Sequence, residues 1–354
     1  MECHTNDGSF GKIGYDETGT FSIWVYLSIF LVADYMNIGI DLGTANTVVY
    51  VQGKGIVLRE PSVVALDKNK NEVIAVGIDA KNMTGRTPEN TEVIRPLKNG
   101  VITDTDITVS MLGGFIKKAV RTGFFSRHKI VLCIPSCSTE VERLAAEDVL
   151  SMLYVKKAGI AEEPLAAAVG AGLDTESAAG KMILDIGGGT SETAVISSGN
   201  IIVSDSVKTG GDAFDNAIEA YIKKKYALVI GTNTAEEIKI KAGNAFVTDK
   251  KEIVLTVRGR NLKGLSSEVK VTSTDIRQAL AEPLHLIVES VKKVLNDMPP
   301  ELSADILDSG IVMTGGGALI KGIDLFIANE TKLPVKIAEN PLDCVALGAV
   351  SMCR

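Results

Sequence analysis

Residues 37–53 read NIGIDLGTANTVVYVQG and residues 181–199 read KMILDIGGGTSETAVISSG. In each, an apolar run ends in an aspartate, Asp41 or Asp185. It then passes through small residues, Gly43-Thr44-Ala45-Asn46 or Gly187-Gly188-Gly189-Thr190, into a second apolar run that stops at Gly53 or Gly199. Aliphatic runs bounded by glycine clusters predict strands, so one β-hairpin is used twice in the chain. A strand that ends in Asp and turns through Gly and Thr leaves backbone N–H groups outward, with no side chain to keep an anion away. Two such turns facing one another would grip a polyphosphate from both sides. Asp41 and Asp185 would then hold a hydrated Mg2+ through water, beside the phosphates. Taken alone, either stretch reads better as an ordinary tight hairpin with Asp as a turn residue, because GGG and DxG are common.

A third cluster adds specificity. Met313-Thr-Gly-Gly-Gly-Ala-Leu319 ends a predicted strand at 310–314 and opens a predicted helix at 317–329, where Gly315, Gly316 and Gly317 let the backbone approach a flat ring or a phosphate. Strand and helix signals alternate between the clusters. Residues 56–66 predict a strand interrupted at Pro61, 107–120 a helix despite Gly113 and Gly114, 129–134 a strand and 139–154 a helix. The second half repeats the plan with strands at 193–197 and 200–207, a helix at 212–226, and a helical pattern at 275–297 that Pro283 should kink or split. Such alternation predicts an α/β fold in two lobes. The glycine clusters fit neither a P-loop, since GxxxxGK[ST] is absent, nor a dinucleotide fingerprint.

Composition supports a folded chain. The 354 residues suit two domains, and 45% hydrophobic with 23% charged residues excludes disorder as the whole answer. With 37 basic against 44 acidic residues the net charge is −7, so no global basic field exists to hold nucleic acid. Five scattered cysteines suggest reduced thiols in a cytoplasm, and three distant histidines argue against a His-based metal site. The first 35 residues do not match the rest. The apolar run 21–33, FSIWVYLSIFLVA, would span about 20 Å as a helix, short of a ~30 Å hydrocarbon core. Two readings fit residues 1–35: a membrane-associating extension, or a start codon placed upstream of the true one at Met36. The strand and turn that begin directly after Met36 favour the second.

From Met36 onward the chain resembles the actin superfamily of ATP-binding proteins and, within it, the MreB/Mbl family of bacterial actins. The resemblance rests on IGIDLGTANTVVYVQGKGIVLREPSVVAL, AKNMTGRTPENTEVIRPLKNGVI, VERLAAED, AEEPLAAAVGA, LDIGGGTSETAVIS, GGDAFDNAI, AEEIKIKAG, TGGGALIKGIDLFI and NPLDCVALGA. It implies an actin-like ATPase fold of two lobes, each with an RNase H-like core and an inserted smaller subdomain. Lobe I would span 36–180, lobe II 181–339, and residues 340–354 would return to lobe I. It further implies slow hydrolysis of Mg2+-bound ATP in the cleft and assembly into double protofilaments on the inner face of the cytoplasmic membrane, with cell-wall morphogenesis proteins as partners in maintaining cell shape.

Position by position, the resemblance makes Gly43, Thr44, Ala45 and Asn46 the first phosphate loop and Gly187, Gly188, Gly189 and Thr190 the second. It places Gly211, Glu236, Lys239, Gly315, Gly316, Gly317 and Ala318 around the nucleotide. Glu142 in VERLAAED stands where a carboxylate would orient the attacking water, a role that Thr190 and Ser191 would share; outside that context Glu142 is an exposed helix charge. Ser191 replaces the usual second threonine, and Cys137 replaces a usual glycine. Phe124 and Phe125, between basic residues in 121–129, occupy the place of an apolar loop that relatives present to the bilayer. A sugar-type kinase of the same superfamily is the alternative; it would need a substrate pocket with a base aimed at a hydroxyl. A chaperone would need a substrate-binding domain beyond residue 354.

Overall fold

The computed structural model describes residues 36–120, 128–153, 155, 157–247 and 252–353. Phe124 and Phe125 lie outside the described residues.

The first lobe opens with an antiparallel meander of β1 (Asn37–Leu42), β2 (Asn46–Val51) and β3 (Gly55–Pro61). The chain then leaves this sheet to build a smaller unit from β4 (Val64–Asp67), β5 (Glu72–Val76), helix α1 (Ile78–Met83) and β6 (Thr91–Ile94), its strands ordered β5-β4-β6. The predicted strand over 56–66 is therefore two strands in two sheets, parted after Pro61. The short ladder of β7 (Leu97–Lys98) with β8 (Val101–Ile102) leads into α2 (Thr105–Val120). The chain returns with β9 (Lys129–Ile134), α3 (Glu140–Met152), β10 (Lys157–Glu162) and α4 (Glu163–Gly170). The completed sheet runs β10-β9-β1-β2-β3.

The second lobe repeats this order. Its meander is β11 (Lys181–Ile186), β12 (Ser191–Ser197) and β13 (Asn200–Val207), followed by α5 (Gly211–Tyr226). A second small unit holds β14 (Leu228–Val229), α6 (Thr232–Ala242), β15 (Val254–Asn261) and β16 (Ser266–Thr272). After α7 (Ser273–Asp297) and α8 (Pro300–Ser309), the sheet is finished by β17 (Ile311–Thr314), with a 3-10 turn Gly316–Leu319, α9 (Ile323–Thr331), β18 (Val335–Ile337) and α10 (Cys344–Ser351) behind it. The order β13-β12-β11-β17-β18 is that of the first sheet, a meander joined to two parallel strands. Gly53 and Gly199 close equivalent turns at φ 78° and 74°, a left-handed conformation that side chains disfavour.

Both sheets are buried on two faces, and strand alternation sorts the residues between them. In β9, Ile130, Leu132 and Ile134 pack into the first lobe's own core around Phe115, while Val131 and Cys133 face the opposite way. In β11, Met182, Leu184 and Ile186 pack with Phe214 of α5, while Ile183 faces the opposite way. Those opposite faces share one central layer, filled by Ala166, Ala167 and Ala168 of α4 and by Val345 and Ala349 of α10. Small residues let the two helices touch by backbone. A β-carbon built on Gly348 would lie 1.8 Å from the Ala166 carbonyl oxygen, and one on Gly170 would lie 1.8 Å from that of Cys344.

Two expected helices differ. α7 runs unbroken through Pro283. An interior proline costs about 3 kcal/mol, but Leu280, Leu284, Ile287, Val288 and Val291 are all buried along the same helix. Each contributes roughly 1.5–3 kcal/mol, so packing outweighs the break. The expected helix over 317–329 is instead a 3-10 turn and a separate helix, because the backbone between them is extended at Ile320 (ψ 127°) and left-handed at Gly322 (φ 72°), neither of which a right-handed helix can propagate.

The helix contact predicts opposite signs for two glycine substitutions. Gly348→Ala should lower stability by about 1–3 kcal/mol, since the clashing atom is backbone and cannot rotate away. Gly113→Ala, in α2 with its nearest foreign atom 4.0 Å from the new carbon, should raise stability by up to about 1 kcal/mol. Urea unfolding midpoints measure both.

Candidate active site

The cleft between the lobes is a cavity of about 680 Å³. Its floor is made by the two hairpin turns. A β-carbon on Gly188 would lie 2.5 Å from Cβ of Ala45, and one on Gly189 would lie 2.5 Å from Oγ1 of Thr44, so the turns meet face to face and only glycine fits. Thr44 Oγ1 accepts the Gly100 N–H at 2.8 Å, and Gly187 N–H donates to the Thr190 carbonyl at 2.9 Å. The second turn is braced by α5, whose Gly211 and Asp212 N–H groups donate to the carbonyls of Gly187 and Gly188 at 3.0 and 2.8 Å. The third glycine cluster backs onto the same strand: at Gly317 a β-carbon would fall 2.1 Å from Cγ2 of Ile186.

Alternation places the two aspartates. In β1, Ile38, Ile40 and Leu42 belong to the lobe core, which leaves Asp41 on the opposite face; in β11, Asp185 shares the face of Ile183. Both carboxylates therefore face the other lobe at the cleft floor. Burial, and for Asp41 the neighbouring Asp185, push Asp41 well above the ordinary carboxylate range. Asp185 is pushed up to about 6 by burial, against a hydrogen bond from Thr314 Oγ1 to its Oδ1 at 2.6 Å. Two partly desolvated carboxylates of like charge favour a cation nearby, and an all-oxygen pair suits hydrated Mg2+. No group of three or more His, Cys, Asp or Glu side chains among the described residues could hold a metal directly. The donors present therefore fit an ion that keeps most of its waters.

Most sequence-predicted site residues line this one cavity: Asp41, Gly43, Thr44, Ala45, Asn46, Asp185, Gly187, Gly188, Gly189, Thr190, Gly211, Glu236, Lys239, Gly315, Gly316 and Gly317. Lys239 Nζ donates to the Gly211 carbonyl at 2.9 Å and to Asp215 at 2.8 Å, tying α6 to α5. Ala318 is fully buried behind the glycines and does not reach the cleft.

Two catalytic candidates stand elsewhere. Glu142 lines a separate, far smaller cavity beside Leu42 and Ala146. Its carboxylate accepts the Thr139 N–H at 2.7 Å while its own N–H donates to Thr139 Oγ1, a capping box that starts α3. Ser191 begins β12 on the side of Val195, toward the second lobe's core, and its hydroxyl donates to the Thr209 carbonyl at 2.6 Å. A further carboxylate that lines the cleft is Glu163, first residue of α4 and only 8% exposed. Its pKa is raised by burial first, then by Glu192, Asp41 and Asp185. A glutamate set before proline at a helix start was visible in AEEPLAAAVGA; its burial was not. The cleft also holds Arg59, Lys81, Arg95, Asp212 and Asp215, which sequence reasoning did not single out.

Comparison with known proteins agrees with this geometry. The chain is 50% identical over 313 residues to the cell shape-determining protein Mbl of Bacillus subtilis (strain 168), covering 88% of this chain and 94% of that protein. It is 46% identical over 318 residues to the cell shape-determining protein MreB of Escherichia coli (strain K12), covering 88% and 91%. The crystal structure of MreB5 of Spiroplasma citri bound to AMPPNP superimposes with a TM-score of 0.84 at 39% identity, covering 89% of this chain and 94% of that one. Residues 35–354 match the description MreB/Mbl protein, and with the doubled sheet and facing turns this shows that the chain belongs to the MreB/Mbl family of actin-like proteins.

Proposed function

We propose that the protein is an ATP-dependent, filament-forming bacterial actin that works at the inner face of the cytoplasmic membrane, organising cell-wall synthesis and maintaining cell shape. The observation that carries the reading is the contact of the two turns in a cavity that Asp41 and Asp185 also line, a place where backbone N–H groups from both lobes would reach one polyphosphate. Support comes from MreB5 of Spiroplasma citri, whose structure contains AMPPNP.

Each part of the cleft has a task. Gly43–Asn46 and Gly187–Thr190 hold the phosphates by backbone donors. Asp41 and Asp185 would hold a hydrated Mg2+ through its waters, and the ion would supply neutralisation of phosphate charge. Glu236, Lys239 and Gly315–Gly317 flank the nucleoside. Glu163, with Thr190, aligns the water for in-line attack; this assigns to Glu163 the role expected of Glu142, whose carboxylate caps its own helix. Ser191 acts indirectly, fixing the turn through Thr209. The filament is a homopolymer of double protofilaments, and cell-wall morphogenesis proteins are its further partners. Lobe boundaries at 36–180 and 181–339, with 340–354 returning to lobe I, go with this reading. Among the described residues no helix is long and apolar enough to cross a membrane, so attachment is peripheral in this proposal, through Phe124 and Phe125.

Asp185→Ala should weaken Mg·ATP binding at least tenfold, measured by titration with a fluorescent ATP analogue, and should abolish the rise in melting temperature on adding Mg·ATP. Wild-type affinity in the variant would remove the two-turn clamp.

Glu163→Gln should bind nucleotide normally but hydrolyse it about 100-fold more slowly, the usual weight of a positioned acid–base group. Glu142→Ala should keep hydrolysis within about twofold of wild type and lose up to about 2 kcal/mol of stability through its cap. Phosphate release, measured beside urea unfolding, separates them; the opposite ranking restores Glu142 to the catalytic role.

Phe124→Ser combined with Phe125→Ser should abolish co-sedimentation with anionic liposomes and leave ATP-dependent pelleting of filaments intact. Burial of each ring contributes at most roughly 3 kcal/mol, so stable attachment depends on many copies aligned in one filament.

A further inference from the structure

The mouth of the cleft is crossed by two ion pairs, each with one partner in either lobe. Lys81 Nζ, on α1, meets Glu236 Oε2, on α6, at 2.7 Å. Arg95, directly after β6, donates from one nitrogen to both oxygens of Asp212 in the first turn of α5, each at 2.9 Å. All four residues line the cavity, and their side chains are between 27% and 38% exposed.

On each side the two partners belong to one rigid piece. In the first lobe, Ala80 of α1 is fully buried in a small cluster with Val63 and Ala65, and Val93 of β6 packs on it, so Lys81 and Arg95 move together. In the second lobe, Lys239 ties α6 to α5 through Gly211 and Asp215, so Glu236 and Asp212 move together. Opening the mouth must then break both pairs at once. Every bond here is protein to protein and needs no nucleotide atom.

We infer that Lys81–Glu236 and Arg95–Asp212 form an electrostatic latch that sets how fast a nucleotide enters and leaves the cleft. The inference rests on the nucleotide reading above. A latch holds the lobes whichever ligand lies within, so it slows entry and exit alike. A contact to the nucleotide itself would slow exit alone and would change affinity. Exposed pairs of this kind are individually weak and screened by salt, so two acting together govern a rate difference between about threefold and tenfold.

The test uses the full chain with a fluorescent ATP analogue and Mg2+ in stopped flow. Lys81→Gln combined with Arg95→Gln should raise association and dissociation rates together by about threefold to tenfold, leaving the Kd within about twofold. The charge swap Arg95→Asp with Asp212→Arg should return both rates toward wild type, which a misfolded variant could not do. Raising NaCl should speed exchange in wild type and have little effect in the neutral double variant. Hydrogen exchange without added nucleotide provides an independent reading: amides of 187–190 and 211–212 should exchange faster in the double variant. Unchanged exchange kinetics in both assays overturn the latch, as does a change confined to dissociation and Kd. If wild type fails to bind the analogue, the nucleotide reading falls, and hydrogen exchange still decides whether the pairs hold the lobes.

Discussion

The backbone contact between α4 and α10 governs the geometry of this molecule. Gly348 against the Ala166 carbonyl and Gly170 against that of Cys344 leave no room for a single methyl group. Because that layer is thin, the two sheets can pack against its opposite sides, with Val131 and Cys133 on one and Ile183 and Ala194 on the other. The ends of β1 and β11 are thereby brought close enough for Gly188 to touch Ala45. Wider residues in the layer would separate the turns, and two sites that each present a few N–H groups would no longer act as one. The shape of the cleft floor is thus a consequence of how tightly the helix layer packs between the sheets.

That closeness carries an electrostatic cost. Asp41, Glu163, Asp185 and Glu192 all lie near the central layer, and burial raises the pKa of each, with neighbouring carboxylates adding to the effect at Asp41, Glu163 and Glu192. Thr314 on Asp185 and the Ser136 N–H on Glu192, at 2.6 and 3.1 Å, offset only part of it. A fold selected only for stability would place apolar residues there, as it does two positions earlier in β11 with Ile183. Carboxylates retained in such a place are what a cation and a water-aligning base require.

Much of this was legible from residues 37–53 and 181–199, because strand alternation and glycine turns are local properties that survive folding. That Asp41 and Asp185 end equivalent strands and line one cavity follows from that repeat. Glu142 carries a second kind of local signal. Its Thr139-x-x-Glu142 spacing is itself a local signature, a capping box, and that geometry occupies the carboxylate. Glu163 was hidden because its burial beside Asp41, Asp185 and Glu192, which are distant in sequence, is encoded in no local pattern. Pro283 and Gly322 separate the same way. Proline's cost is a fixed sum that a buried helix face can exceed, whereas the left-handed φ of Gly322 is incompatible with continuation of the helix at any packing energy.

The doubled architecture also gives each lobe a core of its own. Each lobe closes its own hydrophobic cluster, around Phe115 in one and Phe214 in the other, so neither needs the cleft shut to stay folded. What joins them changes character from base to mouth. At the base, α4 and α10 meet through small apolar residues in a dry layer that permits little displacement. At the mouth, the first inserted unit meets the second lobe through partly exposed charges, Lys81 with Glu236 of the second inserted unit and Arg95 with Asp212 of α5. Close-packed apolar contacts resist separation steeply over short distances, whereas screened charges part at small cost and re-form. A pivot at the base and a releasable contact at the mouth follow from that difference. The inserted subdomains are therefore the parts of this fold best placed to respond to what the cleft contains.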